Sequence, residues 1–388
     1  MELKKYKEAF RTLPTPFYFY DTELLSATIA KAQQAAQSAD AEIHYAVKAN
    51  ANPTVLKYMR DADFGADCVS GYEVKHCIEV GIPASKIMFA GVGKTDAEIL
   101  YAIEQGILCF NVESLPELDV INQLAAAQNK VVNIAFRINP NIDAHTHAYI
   151  TTGLEENKFG ITMDDMIPAI RHAQKLTNVN FYGLHFHIGS QILVLRSFTL
   201  LCQRINKLQD KLEREGITVP SINVGGGLGV DYQNPEKNTI AAFDKYFSIF
   251  KKHLKRRPGQ KLHCELGRAL TAQWAALITR TVFVKQTANK QFAIVDGGFT
   301  DLIRPALYQA HHKIINLDGG RKKEKYDVVG PICESSDVFD KDIMLNKVQR
   351  GDLLAILSAG AYGHVMASQY NCRPLIKEYC IEDLATTK

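Results

Sequence analysis

The chain has 388 residues, which exceeds one ordinary compact domain and predicts two cores, one of them large enough for a barrel of about 250 residues. Hydrophobic residues make up 46% of it and charged residues 22%, a balance that excludes a disordered chain. The net charge of +3 is too small to indicate a nucleic-acid surface, which is usually carried by a strongly basic domain.

The cellular compartment is indicated by the N-terminus and by the cysteines. The first residues carry charges without an apolar core, unlike a secretory signal, and no later apolar run is long enough to span a bilayer. Eight cysteines are scattered without a Cys-x-x-Cys pair, which argues against a zinc ribbon or a disulfide framework. The sequence therefore predicts a cytoplasmic protein with reduced thiols that binds neither membranes nor nucleic acid.

Short apolar or β-branched runs alternate with longer amphipathic stretches from about residue 40 to residue 265, as expected of repeated βα units. Eight such runs occur, at residues 43–47, 64–68, 87–90, 108–112, 131–138, 181–186, 221–224 and 261–265. Eight parallel strands close a (β/α)8 barrel, so this part of the chain predicts a barrel of the TIM type.

Several helix starts in this region are marked by a hydroxyl side chain followed three residues later by glutamate, the pattern of a capping box. The pairs are Ser70 with Glu73, Thr95 with Glu98, and Ser114 with Glu117, and Asn52 before Pro53 marks a further start. Residues 139–163, with His145 and His147, interrupt the alternation, and an insertion of this length after a barrel strand is expected to be functional or a surface loop.

After residue 267 the pattern changes to strand-rich segments without long helices, at residues 278–285, 291–295, 326–329, 352–357 and 375–381. This predicts a separate β domain of the sandwich or barrel-like kind. An aromatic run at residues 17–20 could add a strand to it. The predicted organisation is an N-terminal segment (1–28) that joins the β domain, a barrel domain (29–266) and a C-terminal β domain (267–388).

Lys48 closes the first predicted strand, and a lysine at the end of an apolar strand is buried or half-buried rather than freely solvated. Burial favours loss of its proton near neutral pH, after which the amine can attack an aldehyde. From the strand context alone, a lysine that extends to solvent at the barrel rim is equally consistent.

The last three predicted barrel strands end in further polar groups. His185 and His187 alternate on the sixth strand and indicate either metal ligands or an imidazole lying flat on an aromatic cofactor. A glycine run at 225–229 follows the seventh strand, where barrels commonly bind phosphate, although three glycines also make an ordinary tight turn. Glu265 and Arg268 end the eighth strand and form either part of the site or a local ion pair.

Together these residues supply an amine, a flat ring, a phosphate cradle and a carboxylate that would keep a pyridine nitrogen protonated, which describes a pyridoxal phosphate site. A metal hydrolase would instead need an aspartate at the end of the eighth strand, and none is present there. No metal site is therefore predicted.

The sequence resembles the fold-type III pyridoxal phosphate-dependent decarboxylases in its motifs and in their order. The motifs are YAVKAN at 45–50, HFHIGSQ at 185–191, GGGLG at 225–229 and ELGR at 265–268. Within that group, the β domain resembles the diaminopimelate decarboxylase family. The segments that carry this finer resemblance are DLIRPALY at 301–308, GPICESSD at 330–337, GAYG at 360–363 and MASQYN at 366–371.

The resemblance implies a role for each matching residue. Lys48 would bind the cofactor aldehyde, His187 would stack on its ring, and Glu265 would pair with its ring nitrogen. Its phosphate would be held by Ser190, Gly225, Gly226, Gly227 and Tyr362. The distal carboxylate of the substrate would be bound by Arg268, Arg304, Tyr308 and Tyr362, while Glu334 would receive the distal ammonium and Cys333 would donate a proton at the reacting carbon.

The same resemblance implies a homodimer in which Cys333 and Glu334 reach the site of the partner subunit. The implied reaction is decarboxylation of meso-2,6-diaminopimelate at its D-configured centre to L-lysine, the last step of lysine biosynthesis. The alternatives are a related decarboxylase acting on carboxynorspermidine, ornithine, lysine or arginine, and a non-catalytic homologue that binds another protein. Intact Lys48, Glu265 and Cys333 argue against the second of these.

Overall fold

The structure, a computed structural model, describes residues 2–142 and 158–385; His145 and His147 of the predicted insertion lie outside these residues. The chain divides into two compact units. The barrel unit comprises Ile29–Gly229 and Ala242–Gly267, and the β unit comprises Met1–Thr28, Val230–Ala241 and Arg268–Lys388.

Residues 230–241 fall inside the range predicted for the barrel domain, yet they group with the β unit. Hydrogen bonds explain this, because the Gln273 side chain donates to the backbone oxygens of Asp231 and Asn238. Lys313 also pairs with Glu236 at 2.8 Å. A segment between two barrel elements is thereby tied to the β strands.

The chain begins with α1 (Lys7–Thr12), β1 (Phe17–Tyr20) and α2 (Thr22–Ser38). The barrel strands follow as β2 (Glu42–Ala46), β3 (Gly65–Cys68), β4 (Ile87–Phe89), β5 (Cys109–Val112), β6 (Val132–Arg137), β7 (Val179–His185), β8 (Ser221–Asn223) and β9 (Lys261–Leu266). All neighbouring pairs are parallel, and β9 pairs with β2 to close the barrel. The predicted (β/α)8 barrel is therefore confirmed.

Helices α3 (Pro53–Asp61), α4 (Gly71–Val80), α5 (Asp96–Gln105), α6 (Leu115–Ala127), α7 (Met166–Ala173), α8 (Arg196–Arg214) and α9 (Phe243–His253) connect the barrel strands. Their buried faces are apolar, as in α9, where Phe243, Tyr246, Phe247 and Phe250 are buried. Within the described residues, no helix combines the length and the apolar composition needed to cross a membrane.

The predicted helix caps are present, but only one forms a complete capping box. Ser70, Thr95 and Ser114 each accept a hydrogen bond from the backbone amide of the glutamate three residues later. The reciprocal bond is made only by Glu98, and the prediction was wrong for the other two glutamates. Glu73 accepts from the amide of Val69 and Glu117 from that of Glu113, one residue before the cap in both cases.

The β unit contains β10 (Ala275–Gln286), β11 (Gln291–Val295), β12 (Ile314–Asn316), β13 (Lys323–Val329), β14 (Val338–Asn346), β15 (Leu353–Leu357) and β16 (Lys377–Cys380). Three short helices accompany them, α10 (Arg268–Thr271), α11 (Arg304–Tyr308) and α12 (Ile381–Ala385). The strands form an eight-stranded sheet in which β1 pairs antiparallel with β10 and parallel with β16. The predicted β domain and the contribution of the N-terminal strand are confirmed.

Two strands of this sheet were not predicted. β12 has three residues, too few for an alternating pattern to be recognised. β14 contains Asp340, Lys341 and Asp342, and Asp342 has a positive φ of 54°, so charges and an irregular backbone hide its periodicity.

Candidate active site

Lys48 and Asp67 meet at the carboxyl ends of two neighbouring strands. Lys48 lies two residues beyond β2 with its side chain 39% exposed, and its Nζ is 3.6 Å from Oδ2 of the buried Asp67 on β3. They approach because Ala46 lies opposite Asp67 in the pairing of β2 with β3. Burial, and then repulsion from Glu265, raise the pKa of Asp67 to about 8 although Lys48 opposes the shift.

Glu265 is buried near the end of β9 and is held by three side chains from other strands. His185 Nε2 lies 3.0 Å from Oε2, while the amide nitrogens of Asn223 and Asn111 donate to Oε1 at 2.7 and 3.3 Å. Burial alone would raise the pKa of Glu265, but the charge and hydrogen bond of His185 outweigh it and lower that pKa. The carboxylate is therefore ionised and fixed in direction.

Asn111 and Asn223 contact Glu265 but carry no motif that pointed to them in the sequence, whereas His185 belongs to the predicted histidine pair. The two asparagines stand as single polar residues inside otherwise apolar strands, and this was the available signal. A buried amide in such a run needs a hydrogen-bond partner, which here is Glu265.

His187 lies just beyond β7 and is distinct in role from His185. Its Nδ1 accepts a hydrogen bond from the amide of Gly226 at 3.3 Å. Burial, followed by the positive charges of Arg137 and Lys48, lowers the pKa of His187 well below its usual value, so the ring is neutral. Arg137 itself pairs with Glu113 at 2.8 Å in a buried ion pair.

The glycine run after β8 adopts a conformation that other residues would not tolerate. Gly225 and Gly227 have φ values of +69° and +100°. A Cβ on Gly225 would lie 2.9 Å from Nδ1 of His187. The amide of Gly225 donates to Oδ1 of Asn223 at 2.9 Å and that of Gly226 to His187, so two of the three glycine amides predicted to bind phosphate already have acceptors within the chain.

In the β unit, two buried arginines surround Tyr232. Arg268 Nη1 donates to the Tyr232 hydroxyl at 2.8 Å, and its guanidinium lies 4.8 Å from the ring centroid of Tyr362. The Arg304 guanidinium lies 4.8 Å from the Tyr232 centroid, and its Nη1 contacts Nε2 of His312 at 2.7 Å. Tyr308, at the other end of α11, is half-buried.

Arg304 lacks an anionic partner in the described part of the chain. Its Nε is buried without a hydrogen-bond partner, and no described carboxylate forms an ion pair with it. A buried guanidinium is costly unless a negative group meets it. The cluster of Arg268 and Arg304 is therefore suited to a carboxylate ligand.

Cys333 and Glu334 are exposed on the β unit and do not join this cluster. The amide of Cys333 donates to Asn371 at 3.5 Å, and the Glu334 carboxylate accepts from the Tyr370 hydroxyl at 2.9 Å. Their loop is held by the buried Asp337, which accepts from the amides of Ile332 and Phe299.

Comparison with known proteins identifies the family. Residues 25–272 match the model of the pyridoxal-dependent decarboxylases, pyridoxal binding domain. The chain is 59% identical to the diaminopimelate decarboxylase of Bacteroides thetaiotaomicron over 97% of its own length and 98% of that protein. The chain belongs to the diaminopimelate decarboxylase family.

Two further relatives support this membership. The family member from Helicobacter pylori strain J99 is 43% identical over 97% of this chain and 93% of that protein. The crystal structure of the Helicobacter pylori enzyme complexed with L-lysine superimposes with a TM-score of 0.92 at 40% identity, covering 97% of this chain and 94% of that one. Similarity at this level extends through both units.

The barrel residues fit the family's cofactor, pyridoxal phosphate. Lys48 offers a primary amine, Glu265 an ionised carboxylate and His187 a neutral flat ring. Both carboxylate oxygens of Asp67 are buried without a hydrogen-bond partner among the described residues, so acceptors remain for a ligand. The donors and acceptors of the barrel are thus those that an aldehyde, a pyridinium and an anionic group require.

Proposed function

We propose that this chain decarboxylates meso-2,6-diaminopimelate at its D-configured centre and releases L-lysine, the last step of lysine biosynthesis. The observation that carries the proposal is the buried Arg304, which has no carboxylate partner among the described residues and lies with Arg268 around Tyr232. Planar guanidinium groups are suited to bind a carboxylate. Diaminopimelate keeps a distal carboxylate that lysine, ornithine and arginine lack.

When bound, pyridoxal phosphate supplies an aldehyde for the substrate amine and a ring that accepts the electrons released with carbon dioxide. In this proposal Lys48 would bind the aldehyde and His187 would pack against the ring. Glu265 would keep the ring nitrogen protonated, and its ionised, hydrogen-bonded state supports that role. The phosphate is assigned to Ser190, Gly225, Gly226, Gly227 and Tyr362, with the Gly227 amide as the main glycine donor.

Substrate selectivity follows from charge pairing at the distal end. Arg268, Arg304 and Tyr308 bind the distal carboxylate with Tyr362, and Glu334 receives the distal ammonium. A substrate that lacks either group leaves one protein charge unpaired, which costs about 3–5 kcal/mol when that charge is buried. We therefore expect strong discrimination against lysine, ornithine and arginine.

The proposal assigns the delivery of a proton to the α-carbon to Cys333. The bond from the α-carbon to its carboxylate breaks, carbon dioxide leaves, and the electron pair stays with the α-carbon. The Cys333 thiol then supplies the proton that forms a new C–H bond in place of the lost C–C bond. Cys333 and Glu334 are exposed on a single chain, which supports a homodimer where they complete the site of the partner subunit. A cytoplasmic location remains a prediction of the sequence.

The deciding experiment measures carbon dioxide release from four amino acids by the purified, cofactor-loaded protein. We expect release from meso-diaminopimelate and none above background from lysine, ornithine or arginine. Lys48→Ala serves as the matched inactive protein, and Lys57→Ala as a surface lysine control that should retain activity. Release from one of the other three amino acids instead would keep the barrel roles and overturn those of Arg268, Arg304 and Glu334.

A further inference from the structure

A second cluster of polar residues lies in the barrel, away from the strand ends that carry Lys48 and Glu265. Glu42, His44 and His263 come together at the amino-terminal ends of β2 and β9. They meet because Glu42 lies directly opposite His263 where β9 pairs with β2. The three residues therefore sit on the seam that closes the barrel.

The spacing of their ligand atoms matches a single metal ion. His44 Nε2 is 3.0 Å from His263 Nδ1, and Glu42 Oε2 is 3.5 Å from the same nitrogen. One candidate atom from each residue lies within 4.8 Å of the others. Metal–ligand bonds of about 2.0–2.2 Å place neighbouring ligands roughly 3.0–3.6 Å apart. The two distances from His263 Nδ1 fall in this range.

Each histidine also has an outer partner that sets its ring. His44 Nδ1 lies 3.1 Å from the backbone oxygen of Lys86, so Nδ1 carries the proton and Nε2 presents a lone pair. His263 Nε2 is 3.3 Å from the hydroxyl of Tyr182. Without an ion, a proton on His263 Nδ1 forms a hydrogen bond to Nε2 of His44. When the proton is instead on His263 Nε2, which faces the Tyr182 hydroxyl, Nδ1 is free to bind a metal.

Both histidine rings are buried inside the barrel. Gly65 makes room for this arrangement, because a Cβ there would lie 2.8 Å from Cε1 of His44.

An open cavity of about 460 Å³ reaches the cluster and is lined by Glu42, His44 and Gly65. Glu42 is 54% exposed, so an ion can arrive from this side and keep water in its remaining coordination positions. Lys261, 3.4 Å from Glu42 Oε1, competes for that carboxylate and must turn away when the ion binds.

We propose that Glu42, His44 and His263 form a binding site for one divalent transition-metal ion, with zinc as the expected occupant. Two imidazoles with one carboxylate suit zinc better than magnesium or calcium, because imidazole nitrogen is a good zinc ligand and the other two ions prefer oxygen ligands throughout. The ion would cross-link β2 to β9 and so stabilise the closed barrel. No metal site was predicted here because the three ligands come from opposite ends of the barrel domain.

The test is a calorimetric titration of the cofactor-loaded protein, first treated with a chelator, with zinc chloride. We expect one ion per chain at this site, and binding weakened at least about tenfold by Glu42→Gln, whose half-exposed position should leave folding intact. His172→Gln is the matched control, since it removes another histidine paired with a carboxylate, Asp119, on the surface. Saturating zinc should raise the unfolding temperature of the wild type by about 4 °C and that of Glu42→Gln by less.

The location of the ion is checked by anomalous scattering from crystals soaked in zinc. A peak between Glu42, His44 and His263 is expected. Equal zinc affinity of wild type and Glu42→Gln, no zinc binding, or a peak elsewhere, such as at the exposed Cys333, would overturn the proposal.

Discussion

The guanidinium of Arg304 donates a hydrogen bond from Nη1 to Nε2 of His312, 2.7 Å away. On the other side of the ring, His312 Nδ1 lies 2.9 Å from the backbone oxygen of Leu357 in β15. Burial, followed by the charge of Arg304, lowers the pKa of His312 well below its usual value, so the ring is neutral and its Nε2 can accept. His312 therefore anchors Arg304 to the sheet.

Replacing His312 by alanine should impair substrate binding more than turnover. Arg304 loses its anchor but keeps its charge, so we expect KM for meso-diaminopimelate to rise about tenfold, with kcat changed by less than about threefold. The adjacent His311→Ala, which removes a half-exposed histidine paired with Asp340, should leave both constants unchanged. A fall in kcat without a change in KM would mean that His312 does not act through substrate positioning.

Glu265→Gln should preserve the barrel and cofactor binding while slowing the reaction. Glutamine has nearly the same shape but cannot balance a positive charge on the ring nitrogen, so we expect kcat to fall by about 100-fold. The visible spectrum of bound cofactor reports retention, and the rate of carbon dioxide release reports the loss. Near-normal kcat in this variant would remove Glu265 from its assigned role.

The sequence predicted the barrel well because each strand is a short apolar run bounded by polar residues, and that pattern is local. Lys48 and Glu265 stood out for the same reason, since each is a charge placed at the end of such a run. The partners that fix Glu265 could not be assigned, because Asn111 and Asn223 meet it only after β5, β8 and β9 share one barrel interior.

Pairing between strands that are distant in the sequence also explains why the contacts of Glu42, His263 and His312 were not predicted. Glu42 and His263 become neighbours only through the register of β2 against β9, which no local pattern specifies. Likewise, the pairing of β12 with β15 brings Leu357 to one ring nitrogen of His312, while Arg304 on α11 contacts the other. Such contacts depend on tertiary register and not on residue type.

The raised pKa of Asp67 predicts that the stability of the cofactor-free protein depends on pH. Its folded-state pKa of about 8 exceeds the unfolded value of about 3.9, so between these values the folded chain binds a proton that the unfolded chain does not. The contribution of Asp67 to the free energy of unfolding therefore falls as the pH rises between these two pKa values. Lys48, Glu265, Glu73 and Arg137 are the charges that act on it.

Asparagine cannot titrate, so Asp67→Asn should gain stability relative to wild type between about pH 5 and about pH 8. Denaturant unfolding of both proteins at the two pH values measures the change. Asp61→Asn, at an exposed position, provides a control whose difference from wild type should stay constant. A constant difference for Asp67→Asn as well would show that Asp67 does not carry a raised pKa.

The proposed homodimer with shared active sites predicts complementation between two inactive variants. Lys48→Ala removes the amine that holds the cofactor, and Cys333→Ala removes the proposed proton donor. If Cys333 serves the partner subunit, each mixed dimer carries one site with both groups intact and one site with neither. Random mixing makes about half of all dimers mixed, so about a quarter of wild-type activity should return. The measurement is carbon dioxide release after co-refolding, with each variant alone as control; no recovery in verified mixed dimers would place Cys333 in the site of its own subunit.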